Sequence, residues 1–310
     1  EATWGEKGRV HFNVGGSQAV EDALKLVRNA KHGKGLMFAF EGGYHGRTLG
    51  ASAITSSYRY RRRYGHFDRA QFVPFPYHFR GPKGMSKEEY GAHCIAQFER
   101  LFETEYYGVW DGKAKEAEFA AFFVEPIQGT GGYVIPPKNF FIDLKKVLDK
   151  YGILLVVDEI QMGVYRTGKL WSIEHFGVTP DLLVFGKAIT NGLNPLSGVW
   201  AREELISPQM FPPGSTHSTF ASNPLGTAVA LETVRMLDDE DFETSVMAKG
   251  AYLLNGLQDL KRRHKIIGDV DGLGMALRIE ICAEDGFTPD KAKTDRMVDE
   301  ALKADLEVDG

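Results

Sequence analysis

Apolar residues along this chain gather in short continuous runs, each bounded by glycine, proline or acidic residues, with helical patterns between them. The runs at 36–40, 119–124, 153–157, 182–185 and 196–200 predict strands. All but the last are apolar at successive rather than alternate positions, as strands covered on both faces should be. Between them, Phe141, Leu144, Leu148 and Tyr151 recur at helical spacing, so 139–150 reads as a crossover helix. Val20, Ala23, Leu24 and Val27 line one face of an earlier helix, expected to begin near Ala19. Glu21 and Asp22 would then occupy its first turn, with Lys25 and Arg28 later, the order that a helix dipole prefers. The alternation implies an α/β fold, a mostly parallel sheet sandwiched by helices.

A long helix starting around Asn223-Pro224 closes on the acidic run Asp238-Asp239-Glu240-Asp241, and a helix (244–263) and a strand (275–281) follow. The expected organisation is a large domain over 1–241 and the start of a smaller, incomplete C-terminal domain over 242–310.

Composition narrows the function classes. With 43% hydrophobic and 25% charged residues in 310, the chain is an ordinary globular protein. A net charge of −5 argues against a nucleic-acid binder that works by bulk positive charge. The basic run Arg59-Tyr60-Arg61-Arg62-Arg63 therefore reads as a solvated face or a subunit contact. No apolar run approaches the roughly 20 residues of a membrane span. Glu1-Ala2-Thr3-Trp4 reads as neither signal nor transit peptide, and without a starting Met the chain reads as a fragment or a processed form. Two cysteines, Cys94 and Cys282, are too few for a disulfide framework or a Cys-rich zinc site and are expected to be structural. The expectation is a cytoplasmic protein that engages neither membrane nor nucleic acid.

The densest chemistry lies in Leu154-Leu155-Val156-Val157-Asp158-Glu159-Ile160-Gln161 and in Phe185-Gly186-Lys187. Asp158 falls at the carboxyl end of one expected strand and Lys187 just past the end of another, where open α/β sheets bind ligands. A carboxylate and an amine converging there suit pyridoxal phosphate, which needs a covalent amine anchor and an acidic partner for its ring nitrogen. Taken singly, each residue reads more readily as a strand-end charge facing water. Val14-Gly15-Gly16-Ser17-Gln18 leads into a helix, so close backbone approach, a hydroxyl and a helix N-terminus could cradle a phosphate. Ser17 could instead be a simple N-cap. In Glu41-Gly42-Gly43-Tyr44-His45-Gly46, Tyr44 could present its ring to a planar cofactor with His45 stacked or hydrogen-bonded beside it, or both could pack in the core. Gly214-Ser215-Thr216-His217-Ser218-Thr219-Phe220 is either a phosphate-binding or a turn-forming loop. A rival motif, Gly163-Val164-Tyr165-Arg166-Thr167-Gly168-Lys169, has P-loop spacing but continues with Leu170 where Ser or Thr should hold magnesium.

In this order the motifs resemble the class III (ω-amino acid) aminotransferases, pyridoxal-phosphate enzymes of fold type I. The resemblance runs from about Phe12 to Ile281 through Gly16-Ser17-Gln18-Ala19-Val20-Glu21, Tyr44-His45-Gly46-Arg47-Thr48 and Val124-Glu125-Pro126-Ile127-Gln128-Gly129. It continues through Asp158-Glu159-Ile160-Gln161, Arg166-Thr167-Gly168, Pro180-Asp181, Phe185-Gly186-Lys187, Thr219-Phe220 and Asn223-Pro224-Leu225. It implies that Lys187 is the Schiff-base lysine and the acid/base for the substrate Cα. Asp158 would pair with the pyridinium nitrogen, and Gln161 with the ring's phenolic oxygen. Gly16 and Ser17 would hold the phosphate, and Tyr44 would stack on the ring. Thr219 would reach the phosphate of a neighbouring subunit's cofactor, which makes a homodimer part of the site. Glu125 would face the substrate pocket, able to pair with an arginine. The implied reaction moves an amino group from an amine or ω-amino acid to a 2-oxo acid, either 2-oxoglutarate or pyruvate. A racemase or decarboxylase of the same fold is the alternative, and a P-loop-like nucleotide-binding protein a remote one. Three departures stand out: Gln18 where Glu is common, Tyr165 where Gly is common, and Asp271 where Arg is usual.

Overall fold

The computed structural model describes residues 5–60, 70–239 and 241–304. β1 (Gly8–Asn13) leads into α1 (Gly16–Ala30), followed by β2 (Leu36–Phe40), α2 (Leu49–Ala53), β3 (Ala70–Val73) and α3 (Lys87–Glu103). A small hairpin, β4 (Trp110–Asp111) and β5 (Glu116–Ala117), precedes β6 (Phe119–Val124), α4 (Phe140–Lys150) and β7 (Leu154–Asp158). Next come β8 (Leu182–Phe185), β9 (Ser197–Arg202), α5 (Glu203–Ile206), α6 (Pro224–Asp239) and α7 (Phe242–Arg263). The last elements are β10 (Ile267–Leu273), β11 (Ala276–Ile281) and α8 (Lys291–Lys303).

Seven strands form one sheet in the order β1-β9-β8-β7-β6-β2-β3. Neighbours from β3 to β8 pair in parallel, whereas β9 is antiparallel to both β8 and β1. Two reversals leave β1 running in the sense of the parallel five, so their carboxyl ends share one edge. The continuous apolar runs follow from coverage on both faces. In β6, Phe122 enters one core layer with Phe141 and Leu144 of α4, while Phe123 enters the other with Val20 and Leu26 of α1. β7 divides likewise, Leu155 and Val157 to one side and Leu154 and Val156 to the other.

The expected strands fall within two residues of the observed ones, and α4 follows Asn139 at its N-cap. α1 differs. It begins at Gly16, because Gln18 Oε1 accepts from Gly15 N at 3.0 Å and the N–H groups of Gln18 and Ala19 bond to Gly15 O. Gly15 is thus the N-cap, Ser17 is not, and Glu21 and Asp22 lie beyond the first turn. Both serve tertiary structure instead. Glu21 Oε1 accepts from Thr48 Oγ1 at 2.6 Å and Gly50 N at 2.8 Å. Asp22, buried in the helix's inner face, holds Asn13, Thr216 and, at 3.3 Å, His11.

β10 and β11 form their own two-stranded sheet against α7. Their turn docks on the 163–170 loop, where Met275 N donates to Arg166 O at 2.9 Å. Asp271 reaches Lys87 of α3 at 3.3 Å. Cys94 and Cys282 are both buried, and burial pushes the Cys94 thiol up to about 11.

Candidate active site

A cavity of about 400 Å³ opens at the shared carboxyl edge of the parallel strands. Five chain segments leave that edge and each supplies part of its wall. β1 gives Gly16 and Ser17 at the start of α1, and β2 gives Tyr44, His45 and Gly46. β6 gives Glu125, β7 gives Asp158, Ile160 and Gln161, and β8 gives Lys187.

Asp158 is buried at the end of β7. One of its oxygens, Oδ1, accepts from Ile160 N at 3.1 Å, and the other, Oδ2, lies 2.9 Å from His45 Nδ1. Burial by itself would lower the pKa of His45. The bond to Asp158 and the charges of Asp158 and Glu125 outweigh it and hold the imidazole above the ordinary histidine value. Lys187, exposed to the cavity, donates from Nζ to Gln161 Oε1 at 3.2 Å. Its backbone is left-handed, with φ 44°, a conformation that costs a side chain energy. Gln161 Nε2 donates in turn to the Tyr133 hydroxyl at 3.1 Å.

The first turn of α1 carries N–H groups without intrahelical partners at the positions of Gly16 and Ser17. Ser17 Oγ accepts from Arg47 N at 3.2 Å, tying the Tyr44 segment to this turn. Tyr44 is half-buried in the wall. Tyr60 packs edge-on against it at 5.0 Å, and the Arg47 guanidinium lies 5.8 Å from its ring centroid. Glu125 borders the cavity, and its two oxygens accept from Tyr44 N at 2.9 Å and Gly129 N at 3.1 Å. Burial pushes its carboxyl up to about 7, the Asp158 charge adding to the effect. The bonds described for Glu125 are thus to backbone rather than to an arginine. Thr219 sits outside this chain's own cavity, exposed on the loop that Thr216 anchors to Asp22.

The donor set fits pyridoxal phosphate. A helix N-terminus and a hydroxyl suit the phosphate, a buried carboxylate suits a ring nitrogen, and an amine stands within reach of an amide.

The Gly163–Lys169 loop is no phosphate cradle. Its Val164 and Tyr165 N–H groups are spent on the carbonyls of Leu170 and Lys169, and Lys169 pairs with Glu243 at 2.6 Å. Glu159, the second acid after β7, turns away to hold Ser172 Oγ at 2.7 Å and Ile173 N at 2.8 Å. Arg61, Arg62 and Arg63 of the basic run, like Glu1–Trp4, lie outside the described residues.

Sequence reasoning left His45 open between stacking, hydrogen bonding and packing, placed Asp22 in a first helical turn rather than on the buried face, and missed Tyr133. Asp22 did carry a signal, a carboxylate on the same helical face as Ala19, Ala23 and Leu26.

A family model for class III aminotransferases matches residues 2–304. The alanine/serine racemase of Pyrococcus horikoshii is 37% identical over 304 residues, covering 97% of this chain and 62% of that protein. The 5-aminovalerate aminotransferase DavT of Pseudomonas putida is 34% identical over 293 residues, covering 94% of this chain and 64% of that protein. Among solved structures, an amine transaminase from an uncultivated Pseudomonas species, in its PLP-bound form, superposes with a TM-score of 0.87. It is 29% identical, and the match covers 97% of this chain and 69% of that one. The chain therefore spans less than two thirds of the length of the two curated relatives.

Proposed function

The chain belongs to the class III aminotransferases, and from that premise we propose that it transfers an amino group from an amine or ω-amino acid to a 2-oxo acid such as 2-oxoglutarate or pyruvate. Its cofactor is pyridoxal 5′-phosphate. The observation that carries the reading is the meeting of Lys187, Asp158, Gln161, Tyr44 and the Gly16-Ser17 turn around one cavity. When bound, the cofactor supplies a carbonyl that takes up an amino group and a ring that accepts electrons.

The chain's own residues do the rest. Lys187 is the covalent anchor, and its Nζ carries a proton to and from the substrate's α-carbon. Asp158, oriented by His45 and Ile160 N, holds the ring nitrogen's proton. Gln161 binds the phenolic oxygen, Tyr44 covers the ring, and the turn at Gly16 and Ser17 takes the phosphate. Glu125 closes the wall behind Tyr44. In this reading residues 1–241 hold the cofactor and 242–310 open a smaller domain.

A homodimer with shared sites belongs to the same proposal. Phe220, beside Thr219, is 69% exposed and Leu225 62% exposed, an apolar surface suited to a second subunit. A cytoplasmic location is supported by two unpaired buried cysteines. No helix among the described residues is long and apolar enough to cross a membrane.

The test is the visible spectrum of the chain with pyridoxal phosphate. Transamination predicts a band that an amino donor removes and a 2-oxo acid restores. A band indifferent to every donor and acceptor would overturn it. The relative in Pyrococcus favours a second reading, amino-acid racemisation. Conversion of L-alanine to D-alanine without any 2-oxo acid, followed by chiral chromatography, would establish it.

A further inference from the structure

One amide links two groups of opposite demand. Gln161 Oε1 accepts from Lys187 Nζ at 3.2 Å, while Gln161 Nε2 donates to the Tyr133 hydroxyl at 3.1 Å. Tyr133 is absent from the cavity wall, so its reach to the site runs through Gln161. Its placement is built by the chain. Tyr133 takes a left-handed backbone, φ 52°, which a bulky residue rarely adopts. The loop around it is pinned by the Gln128–Val134 bridge and by Gly132 N and Tyr133 N, which donate to Gly129 O at 3.0 and 3.2 Å. On the amide's other side stands Gly129, where a Cβ would fall 2.4 Å from Gln161 Oε1. Any side chain there would crowd the amide that Tyr133 holds.

We propose that Tyr133 is a positioning residue that serves Gln161 in both orientations of its amide. This rests on the reading that the cavity takes pyridoxal phosphate. An amine at Lys187 is met by the amide oxygen, whereas a phenolic oxygen must be met by the amide nitrogen. A single glutamine does both by turning its amide over, and each turn presents the opposite atom to residue 133. A hydroxyl donates as readily as it accepts, so Tyr133 satisfies the amide either way. Phenylalanine would take the partner from whichever amide atom faces residue 133, in both orientations.

The experiment titrates the visible band of the chain reconstituted with pyridoxal phosphate, in wild type, Tyr133→Phe, Gln161→Ala and the double variant. Loosening a donor to the phenolic oxygen raises that group's proton affinity. Tyr133→Phe should therefore move the midpoint up by about half to one pH unit, a three- to tenfold change. Gln161→Ala should move it at least as far, and Tyr133→Phe should add nothing in the Gln161→Ala background. Gly129→Ala, which displaces the amide by crowding, should raise it too. An unmoved midpoint in Tyr133→Phe or Gly129→Ala while Gln161→Ala shifts overturns the proposal, and so do additive shifts. Unmoved midpoints in all variants would take Gln161 away from the phenolic oxygen, and the proposal with it. A wild-type chain with no visible band would instead overturn the cofactor reading on which it stands.

Discussion

His45 Nδ1 and Asp158 Oδ2 lie 2.9 Å apart, both side chains buried, although 113 residues separate them in the chain. The imidazole is held above its ordinary pKa chiefly by that carboxylate, against the opposing effect of burial. His45 thereby fixes the direction in which Asp158 presents its oxygens. Asp158→Ala should lower the turnover of amino-group transfer by about 10³-fold or more, since charge placed at a reacting ring is the larger effect. His45→Ala should cost about 10- to 100-fold, the worth of a lost hydrogen bond to a charged group. Both variants should keep the cofactor's visible band, because Lys187 is untouched. A His45→Ala enzyme with wild-type kcat would reduce this histidine to packing.

Glu159 sets a pH dependence of stability. Burial raises its carboxyl from 4.5 to about 7 in the fold. Between those values the folded chain binds more protons than the unfolded one, so stability from this group is greatest below pH 4.5 and is lost as pH rises toward 7. Glu125, raised from 4.5 to about 7 as well, acts in the same direction. Glu159→Gln has no proton to lose. Its stability relative to wild type should therefore improve by up to about 1.4 kcal/mol per pH unit across that window. Urea unfolding at pH 5, 6, 7 and 8 would measure it, and a constant difference across the series would refute the assignment.

The turn between β10 and β11 depends on Gly274. Its φ is +57°, and a Cβ there would lie 2.6–2.8 Å from the backbone of Thr167. Gly274→Ala should destabilise by about 2–4 kcal/mol through left-handed strain and backbone overlap together. Gly256, inside α7 with nothing within 4 Å of its Cβ position, is the control. Gly256→Ala should stabilise by about 0.5–1 kcal/mol. Equal effects in thermal or urea unfolding would mean that the turn does not bear on the 163–170 loop.

β2, β6 and β8 were legible to the residue because burial on both faces leaves no polar position inside them. Lys187 and Asp158 were legible because strand ends place them. The start of α1 was not, since glycine's weak helix propensity hid the capping by Gln18. Nor were the pairs His45–Asp158 and Tyr133–Gln161, which depend on how separate loops meet at one edge of the sheet. Tyr165 departs from the family pattern against the preference of its backbone. The turn takes φ 61°, which favours the glycine common there, and what Tyr165 adds is a ring 6.0 Å from that of Phe242, packing the loop against α7.

Thr219 offers the sharpest test of a shared site. It lies on the 214–220 loop, exposed and outside the cavity of its own chain, with Thr216 of the same loop anchored to buried Asp22 and to Lys25 at 2.8 Å. If it serves a partner's phosphate, Thr219→Ala should weaken cofactor binding about 10-fold or more, the worth of a hydrogen bond to a charged group. The decisive experiment mixes Thr219→Ala chains with Lys187→Ala chains, which lack the covalent anchor and should not turn over. In a hybrid dimer, one cavity would combine Lys187 from the first chain with Thr219 from the second and be wild type in both. The other cavity would lack both groups. At limiting cofactor the mixture should then show more activity than the sum of the two parents. Strict additivity at every mixing ratio, in chains shown to exchange partners, would place Thr219 in the service of its own subunit or of none.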